Sequence, residues 1–581
     1  MDPTNANTAL ASAFVEELAR CGLRRAVVSP GSRSAPLAVA LWRQPEIEVT
    51  VIVDERSAAF FALGAAQANG LPTAILCTSG TAAANLHPAI CEADQAAIPL
   101  LALTADRPPE LRGVGAGQTI DQLKLFGSAV RWFCEVGAHE ADDAGLLHYR
   151  STACRAFAAA RGEPRPGPVH LNLAWREPLA PLPVEGAVTA TDPLALEGRG
   201  RRPLTAVTPC DLEPSEFLLD EVARHIAEAA SGVIVAGRQL DPELREPLAR
   251  LASAAGFPIL AEPTSQLRCG PHDRSHVVTA YDLLLRDEAF AQRASPGLVL
   301  RFGELPTSKP LRAWLAGSGA AQIVADPYAG WNEPTRRAAA LLRADPTELA
   351  AGWAARLEGE ARPAPALWLE AEHAAREAIV SELLALDSPT EPGLQLALGG
   401  AHRDGDVVYT GSSMPIRDQE AFLPPGEADV RFLCNRGANG IDGLLSSGIG
   451  AAAASGQPTT VLMGDLGLLH DVGGLAALRD VEAPVRIVVI DNDGGGIFHF
   501  LPHESALAPE EFEALMGTPR GVGVARAAAL FDLPHRRLDS LADLPNALAA
   551  GTGLIEVRVD RRANVELHGR LTAAVAAAIQ G

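Results

Sequence analysis

Short apolar runs, each closed by glycine or polar residues and followed by a helical stretch, recur along this chain in three groups. Short runs of this kind suit parallel strands buried on both faces, because the helices of the crossover connections cover the sheet. In the first group the runs are residues 26–29, 49–53, 73–77 and 99–104. They are residues 232–236, 258–261, 298–302 and 322–325 in the middle group, and 407–410, 460–463, 486–490 and 553–559 in the last. The expected class is α/β, with three doubly wound parallel-sheet domains over residues 1–185, 217–343 and 371–581. The proline-rich stretch 186–216 and the alanine- and proline-rich stretch 344–370 read as linkers.

Composition narrows the function classes. A chain of 581 residues is too long for one core. Its net charge of -22 disfavours nucleic acid and anionic membranes as partners. No window supplies the ~20 apolar residues of a membrane span, so membrane insertion is not expected. Residues 1–8 are polar and do not resemble a signal peptide. Eight scattered cysteines without a Cys-x-x-Cys pair argue against a disulfide framework or a zinc site, and suit a reducing cytoplasm. Basic side chains are almost all arginine; Lys124 and Lys309 are the only lysines.

Active sites in parallel sheets lie beyond the carboxyl ends of the strands. In the first group those ends carry Pro30-Gly31-Ser32-Arg33-Ser34, Asp54-Glu55-Arg56, Thr78-Ser79-Gly80-Thr81 and Ala105-Asp106-Arg107. The middle group is poorer in polar turns. Its Ala236-Gly237-Arg238 lacks the spaced glycines of a dinucleotide site, so this domain is expected mainly to support the others.

The last group carries the most specific pattern. One strand ends in Gly464-Asp465-Leu466, and the next ends in Asp491-Asn492-Asp493-Gly494-Gly495-Gly496-Ile497-Phe498. Asn492 follows Asp465 by 27 residues, the length of one helical crossover, which sets the two side by side at one sheet edge. A carboxylate, an amide oxygen and a backbone carbonyl are hard ligands suited to Mg2+ or Mn2+. The glycine run lets backbone N–H groups approach a diphosphate.

This pair resembles the signature of thiamine diphosphate enzymes, with Asp491 in place of the usual first asparagine. The resemblance implies a thiamine diphosphate-binding fold with pyrimidine-binding, central and diphosphate-binding domains. Asp465, Asn492 and the Gly494 carbonyl then hold the metal. Gly464, Leu466, Gly495, Gly496 and Ile497 contact the cofactor. Thiamine chemistry also needs a carboxyl group that hydrogen-bonds the aminopyrimidine ring. Glu55 is the candidate, and enclosure in an apolar pocket would help it carry and share a proton. Two plainer roles are open to it: pairing with Arg56, or capping the helix that follows. In this superfamily the first and last domains meet across a subunit interface, so a homodimer or homotetramer is implied.

A closer resemblance rests on several motifs together. They include Val28-Ser29-Pro30-Gly31-Ser32-Arg33-Ser34-Ala35-Pro36-Leu37, Ala105-Asp106-Arg107-Pro108-Pro109-Glu110-Leu111 and Gly117-Gln118-Thr119-Ile120. Gly411-Ser412-Ser413-Met414-Pro415-Ile416-Arg417-Asp418 and Asn435-Arg436-Gly437-Ala438-Asn439-Gly440-Ile441-Asp442-Gly443 continue it. These resemble the menaquinone-pathway 2-succinyl-5-enolpyruvyl-6-hydroxy-3-cyclohexene-1-carboxylate synthases. That family decarboxylates 2-oxoglutarate and adds the succinyl carbanion equivalent to isochorismate. Both substrates are dianions, and arginine forks suit carboxylates best. The matched motifs supply Arg33, Arg107, Arg417 and Arg436, with Ser32, Gln118 and Ser413 as neutral donors; Lys309 and Phe498 are further substrate contacts. Ser413 and Ile441 are also assigned to the cofactor, and either Met414 or Ile441 could wedge beneath it. Pro310 and Arg520 depart from the family pattern, and His470 has no assigned role. The competing readings are another thiamine-dependent 2-oxoacid decarboxylase or carboligase, and a non-catalytic cofactor-binding regulator.

Overall fold

The computed structural model describes residues 1–162, 165–210, 212–359 and 362–580. Asp211 of the first expected linker, Glu360 and Ala361 of the second, and Glu163, Pro164 and Gly581 of the flanking domains lie outside the described residues. Three six-stranded, wholly parallel sheets account for the strand pattern. The first contains β1 (Arg25–Val28), β2 (Glu48–Val51), β3 (Thr73–Cys77), β4 (Leu100–Asp106), β5 (Trp132–Glu135) and β6 (Pro168–Ala174), in the order β2-β1-β3-β4-β6-β5. The second contains β7 (Gly232–Ala236), β8 (Ile259–Ala261), β9 (Val277–Val278), β10 (Leu298–Phe302), β11 (Ala321–Ala325) and β12 (Ala338–Leu342), ordered β12-β11-β10-β7-β8-β9. The third contains β13 (Val407–Thr410), β14 (Arg431–Cys434), β15 (Thr459–Gly464), β16 (Val485–Asp491), β17 (His535–Leu538) and β18 (Gly553–Arg558), ordered β14-β13-β15-β16-β18-β17.

The first and third sheets share one topology. In each, the winding reverses between the first strand and the third: β1 with β3, and β13 with β15. At such a switch point the two connections leave on opposite faces and open a crevice beyond the strand ends. The loops after β1 and β3 hold Ser32, Arg33 and Ser79; the loop after β13 holds Ser413, and Asp465 opens the short helix Asp465–His470 that follows β15 directly. The second sheet reverses between β7 and β10, and Lys309 follows β10.

By internal contacts the chain forms two compact units. One comprises Met1–Cys210, Asn435–Gly456 and His470–Ala483. The other comprises Asp211–Cys434, Gln457–Leu469 and Pro484–Gly581. In the first, the helix Glu55–Asn69 is buried almost continuously from Ser57 to Ala68, which its alanines and glycine permit. It crosses the helix Leu444–Ser455 at very short range. A Cβ on Gly64 would lie 1.8 Å from the Ser447 carbonyl oxygen, and one on Gly450 would lie 2.0 Å from that of Phe61.

The second expected linker is corrected. Pro346–Leu357 is a helix whose Leu349, Ala350, Trp353, Ala354 and Leu357 form one face in the core of the central sheet. A proline in the first turn starts a helix rather than breaking it, and Asp345 caps this one by accepting from Thr347 N and Glu348 N. In the first linker, Arg150 pins a short helix, Pro193–Glu197, by donating to the carbonyls of Ala195 and Leu196, each at 2.8 Å. Among the described residues no helix is long and apolar enough to cross a membrane.

Candidate active site

β15 and β16 pair in parallel, with Gly464 opposite Ile490, so Asp465 and the Asp491–Asn492 turn leave neighbouring strand ends. Asp493 and Gly494 both have positive φ, at 52° and 138°. A Cβ on Gly494 would meet the Gly517 carbonyl oxygen at 2.0 Å, so the turn requires glycine there. Its shape is held from the other side: Asp493 Oδ1 accepts from Arg520 N at 3.2 Å and from Gly521 N at 2.9 Å. Gly495 N donates to Gly517 O at 2.7 Å. Arg520 thus acts through its backbone, while its side chain is exposed.

Two oxygens at this edge are buried and have no hydrogen-bond partner: Asp465 Oδ2 and Asn492 Oδ1. Burial pushes the Asp465 carboxyl up to about 7, aided by the charges of Asp491 and Asp493 and opposed by N–H groups of Leu466 and Gly494. Orphaned hard oxygens cost stability unless something meets them, and a divalent cation would do so while favouring the ionised carboxylate. The donor set therefore fits the ion. A cavity of about 880 Å³ opens beside Asn492, with Arg558 and Arg561 among its lining. Arg561 was not singled out from the sequence. It sits 3.1 Å from the ideal Cβ of Gly494, bonds Glu513 Oε2 at 3.0 Å, and has a buried Nη1 without a partner. Gly496 is buried; Ile497 and Phe498, in the short helix Gly496–Phe500, are half-buried.

β13 is the neighbour of β15, with Thr410 opposite Leu462. Ser413 has φ 74° and leads into the helix Met414–Phe422, where Arg417 donates back to the Ser413 carbonyl. Met414 is buried. Arg268 holds this helix from the central sheet. Its buried guanidinium donates to the carbonyls of Gln419, Glu420 and Leu423 at 3.1, 2.6 and 3.0 Å. Lys309 is exposed at the first turn of the helix Lys309–Gly317, which Ser308 caps. Pro310 is also in that first turn, where a proline needs no N–H partner, which accounts for it without a ligand. Gly237 and Gly303 serve packing: a Cβ on Gly237 would lie 1.5 Å from the Glu304 carbonyl oxygen.

In the first unit, Arg33 and Arg107 stand on one sheet edge. Arg33 Nη1 donates to Trp175 O at 2.8 Å, and Nη2 lies 3.4 Å from Glu177 Oε1. Arg107 donates to Ser79 Oγ. Partial burial, and then repulsion from Arg33, pull the Arg107 guanidinium below its usual range. Gln118, at φ 57°, donates to Ser79 O at 3.1 Å. Ser79 therefore joins two of the expected substrate residues. Ser32 is exposed next to them. Arg436 and Ile441 lie on a loop tied to buried Glu92, whose carboxylate accepts from Gly437 N at 2.6 Å and Ala438 N at 2.7 Å.

Glu55 is the first residue of the helix Glu55–Asn69. Both plainer roles fall away. Asp54 caps the helix by accepting from Ser57 N at 3.1 Å, and Arg56 Nη2 donates to His470 O at 2.6 Å. His470 contributes a carbonyl, and its ring is exposed. The Glu55 side chain is half-buried, standing in the first turn at the edge of the sheet. The expected residues thus fall into two groups. Ser32, Arg33, Glu55, Arg107, Gln118, Arg436 and Ile441 belong to the first unit. Lys309, Ser413, Arg417, Gly464, Asp465, Leu466, Asn492, Gly494, Gly495, Gly496, Ile497 and Phe498 belong to the second.

Residues 8–125 match the family model described as the N-terminal TPP binding domain of thiamine pyrophosphate enzymes. With three parallel α/β sheets and the strand-end motif of β15 and β16, this defines a thiamine diphosphate-dependent enzyme. The chain is 44% identical over 568 residues to a 2-succinyl-5-enolpyruvyl-6-hydroxy-3-cyclohexene-1-carboxylate synthase of Chloroflexus aurantiacus, covering 96% of this chain and 94% of that protein. It is 42% identical to the synthase of the same name in Myxococcus xanthus, covering 99% and 98%. For that of Geobacillus thermodenitrificans it is 40%, covering 97% and 96%. The chain belongs to the 2-succinyl-5-enolpyruvyl-6-hydroxy-3-cyclohexene-1-carboxylate synthase family.

Proposed function

We propose that this enzyme decarboxylates 2-oxoglutarate and adds the remaining succinyl unit to the ring of isochorismate, as a step of menaquinone biosynthesis. Thiamine diphosphate, when bound, supplies the carbon nucleophile and electron sink that the decarboxylation needs. The observation that carries the reading is the pair of buried, unpartnered oxygens, Asp465 Oδ2 and Asn492 Oδ1, in a chain of this family. They and the Gly494 carbonyl would hold Mg2+ or Mn2+. The glycine turn 494–496 would present N–H groups to the diphosphate, with Gly464, Leu466, Ile497, Ser413 and Ile441 around the cofactor.

Glu55 would be the group that hydrogen-bonds the aminopyrimidine of the bound cofactor. Among the described residues no cap or ion pair competes for its carboxyl, which supports that role. Arg33, Arg107, Arg417 and Arg436 would take the substrate carboxylates, assisted by Ser32, Gln118, Lys309 and Phe498. The mutual repulsion of Arg33 and Arg107 favours a bound dianion, since two cations held close gain from a shared anion. The proposal includes a cytoplasmic homodimer or homotetramer.

The test offers 2-oxoglutarate with isochorismate in one reaction and with an aldehyde in another, both with thiamine diphosphate and Mg2+. Consumption of isochorismate is expected. A cofactor-loaded enzyme that consumes only the aldehyde would assign it to a different carboligation.

A further inference from the structure

Asn492 is oriented by a residue far away in sequence. Its Nδ2 donates to Glu391 Oε1 at 3.1 Å, which leaves Oδ1 as the buried, unpartnered atom. The two ends of an amide have almost the same shape, so only hydrogen-bond partners decide which way it points. Glu391 is 1% exposed and begins the helix Glu391–Ala401, which Thr390 caps. The carboxyl group of Asp418, 0% exposed, lies beside it. A carboxylate oxygen only accepts, so with Glu391 Oε1 as its partner the Asn492 amide has one satisfied orientation. Flipping it would set oxygen against oxygen and turn the NH2 group towards the cation.

The arrangement is held at its far end. His568 Nε2 lies 3.1 Å from Asp418 Oδ1. The ring is fixed edge-on between Phe422 and Phe500, with centroids at 5.0 and 4.9 Å. The four polar residues come from four segments: the turn after β16, the helix Glu391–Ala401, the helix Met414–Phe422 and the helix Arg561–Ala578. That second helix also carries Arg417.

We propose that Glu391, backed by Asp418 and His568, is a positioning residue that locks the Asn492 amide with its oxygen towards the divalent cation. This rests on the cation site proposed above. Outer partners of metal ligands typically change metal affinity by about 10–100-fold when removed. A role in core packing alone would leave affinity unchanged in a folded variant.

The experiment is Mn2+ titration of the full chain with thiamine diphosphate, followed by electron paramagnetic resonance, with thermal melting in parallel. Glu391→Met keeps the length of the side chain and removes the hydrogen bond to Asn492; Mn2+ binding weakened by roughly 10–100-fold is expected. Glu391→Gln keeps an oxygen towards Asn492, and is expected to bind within about threefold of the wild type. In an Asn492→Asp background both terminal atoms are oxygens, so Glu391→Met is expected to cost no further Mn2+ affinity. Wild-type affinity in folded Glu391→Met would overturn the proposal. So would a loss in Glu391→Gln as large as about tenfold, which also decides the matter if the methionine variant does not fold. A wild-type protein that binds thiamine diphosphate without any Mn2+ would refute the cation site itself, and the proposal with it.

Discussion

Arg107→Lys keeps the charge and removes the fork. In the wild type one guanidinium nitrogen is held by Ser79 Oγ, which leaves the rest of the group to face a carboxylate. A lysine ammonium has no rigid second arm with which to do both. Losing one hydrogen bond to a charged group costs about 1.5–3 kcal/mol, which corresponds to roughly a 10–150-fold fall in kcat/KM. Arg107→Met should cost more, since Arg33 would be left alone with the dianion and repulsion between the pair could no longer be relieved by binding. Ser79→Ala should cost less, about 1 kcal/mol, because it only loosens the anchor. The assay is steady-state kinetics with each dicarboxylate varied in turn. The fall is expected for one substrate mainly, and melting temperature should hardly move. If Arg107→Met leaves kcat/KM within threefold of the wild type for both substrates, the assignment of this sheet edge to carboxylate recognition is wrong.

Other outcomes follow from single contacts. Glu55→Gln should retain thiamine diphosphate binding, read by calorimetry, yet lose most turnover; near-normal turnover would remove Glu55 from the mechanism. His170 is fully buried beside Thr104, and burial pushes its pKa down to about 3. An unfolded histidine titrates near 6.5, so the unfolded chain binds the extra proton first. The contribution of neutral His170 is complete above about 6.5 and is lost as pH falls from there towards about 3. Melting temperature against pH should therefore fall less steeply on the acid side in His170→Gln. Gly450→Ala places a methyl group where a backbone carbonyl stands 2.0 Å away, and should destabilise the protein by about 1–3 kcal/mol in chemical denaturation.

Some of this was legible in the residues and some was not, for physical reasons. Buried parallel strands are short, apolar and closed by turns, so β3, β4, β15 and β16 stand out, and the spacing of Asp465 and Asn492 follows from one crossover. Arg33 and Arg107 were readable because active-site residues of parallel sheets lie in the loops beyond the strand ends, and Ser413 through the family resemblance of its motif. Glu391 was not. A glutamate before a proline at a helix start looks like any first-turn acid, and only its burial against Asp418 and Asn492 distinguishes it. Arg268 is equally anonymous in sequence, since its four partners are backbone carbonyls. The helix Pro346–Leu357 was hidden by alanine and proline content that linkers also have, although Leu349, Trp353 and Leu357 carry a helical period.

The most direct test of the central claim is one reaction with 2-oxoglutarate and isochorismate, its product identified by mass and its CO2 counted. The account predicts CO2 release that requires thiamine diphosphate and a divalent cation. It also predicts one product carrying the mass of isochorismate plus a succinyl unit. CO2 release with isochorismate left intact, by protein shown to hold its cofactor, would contradict it.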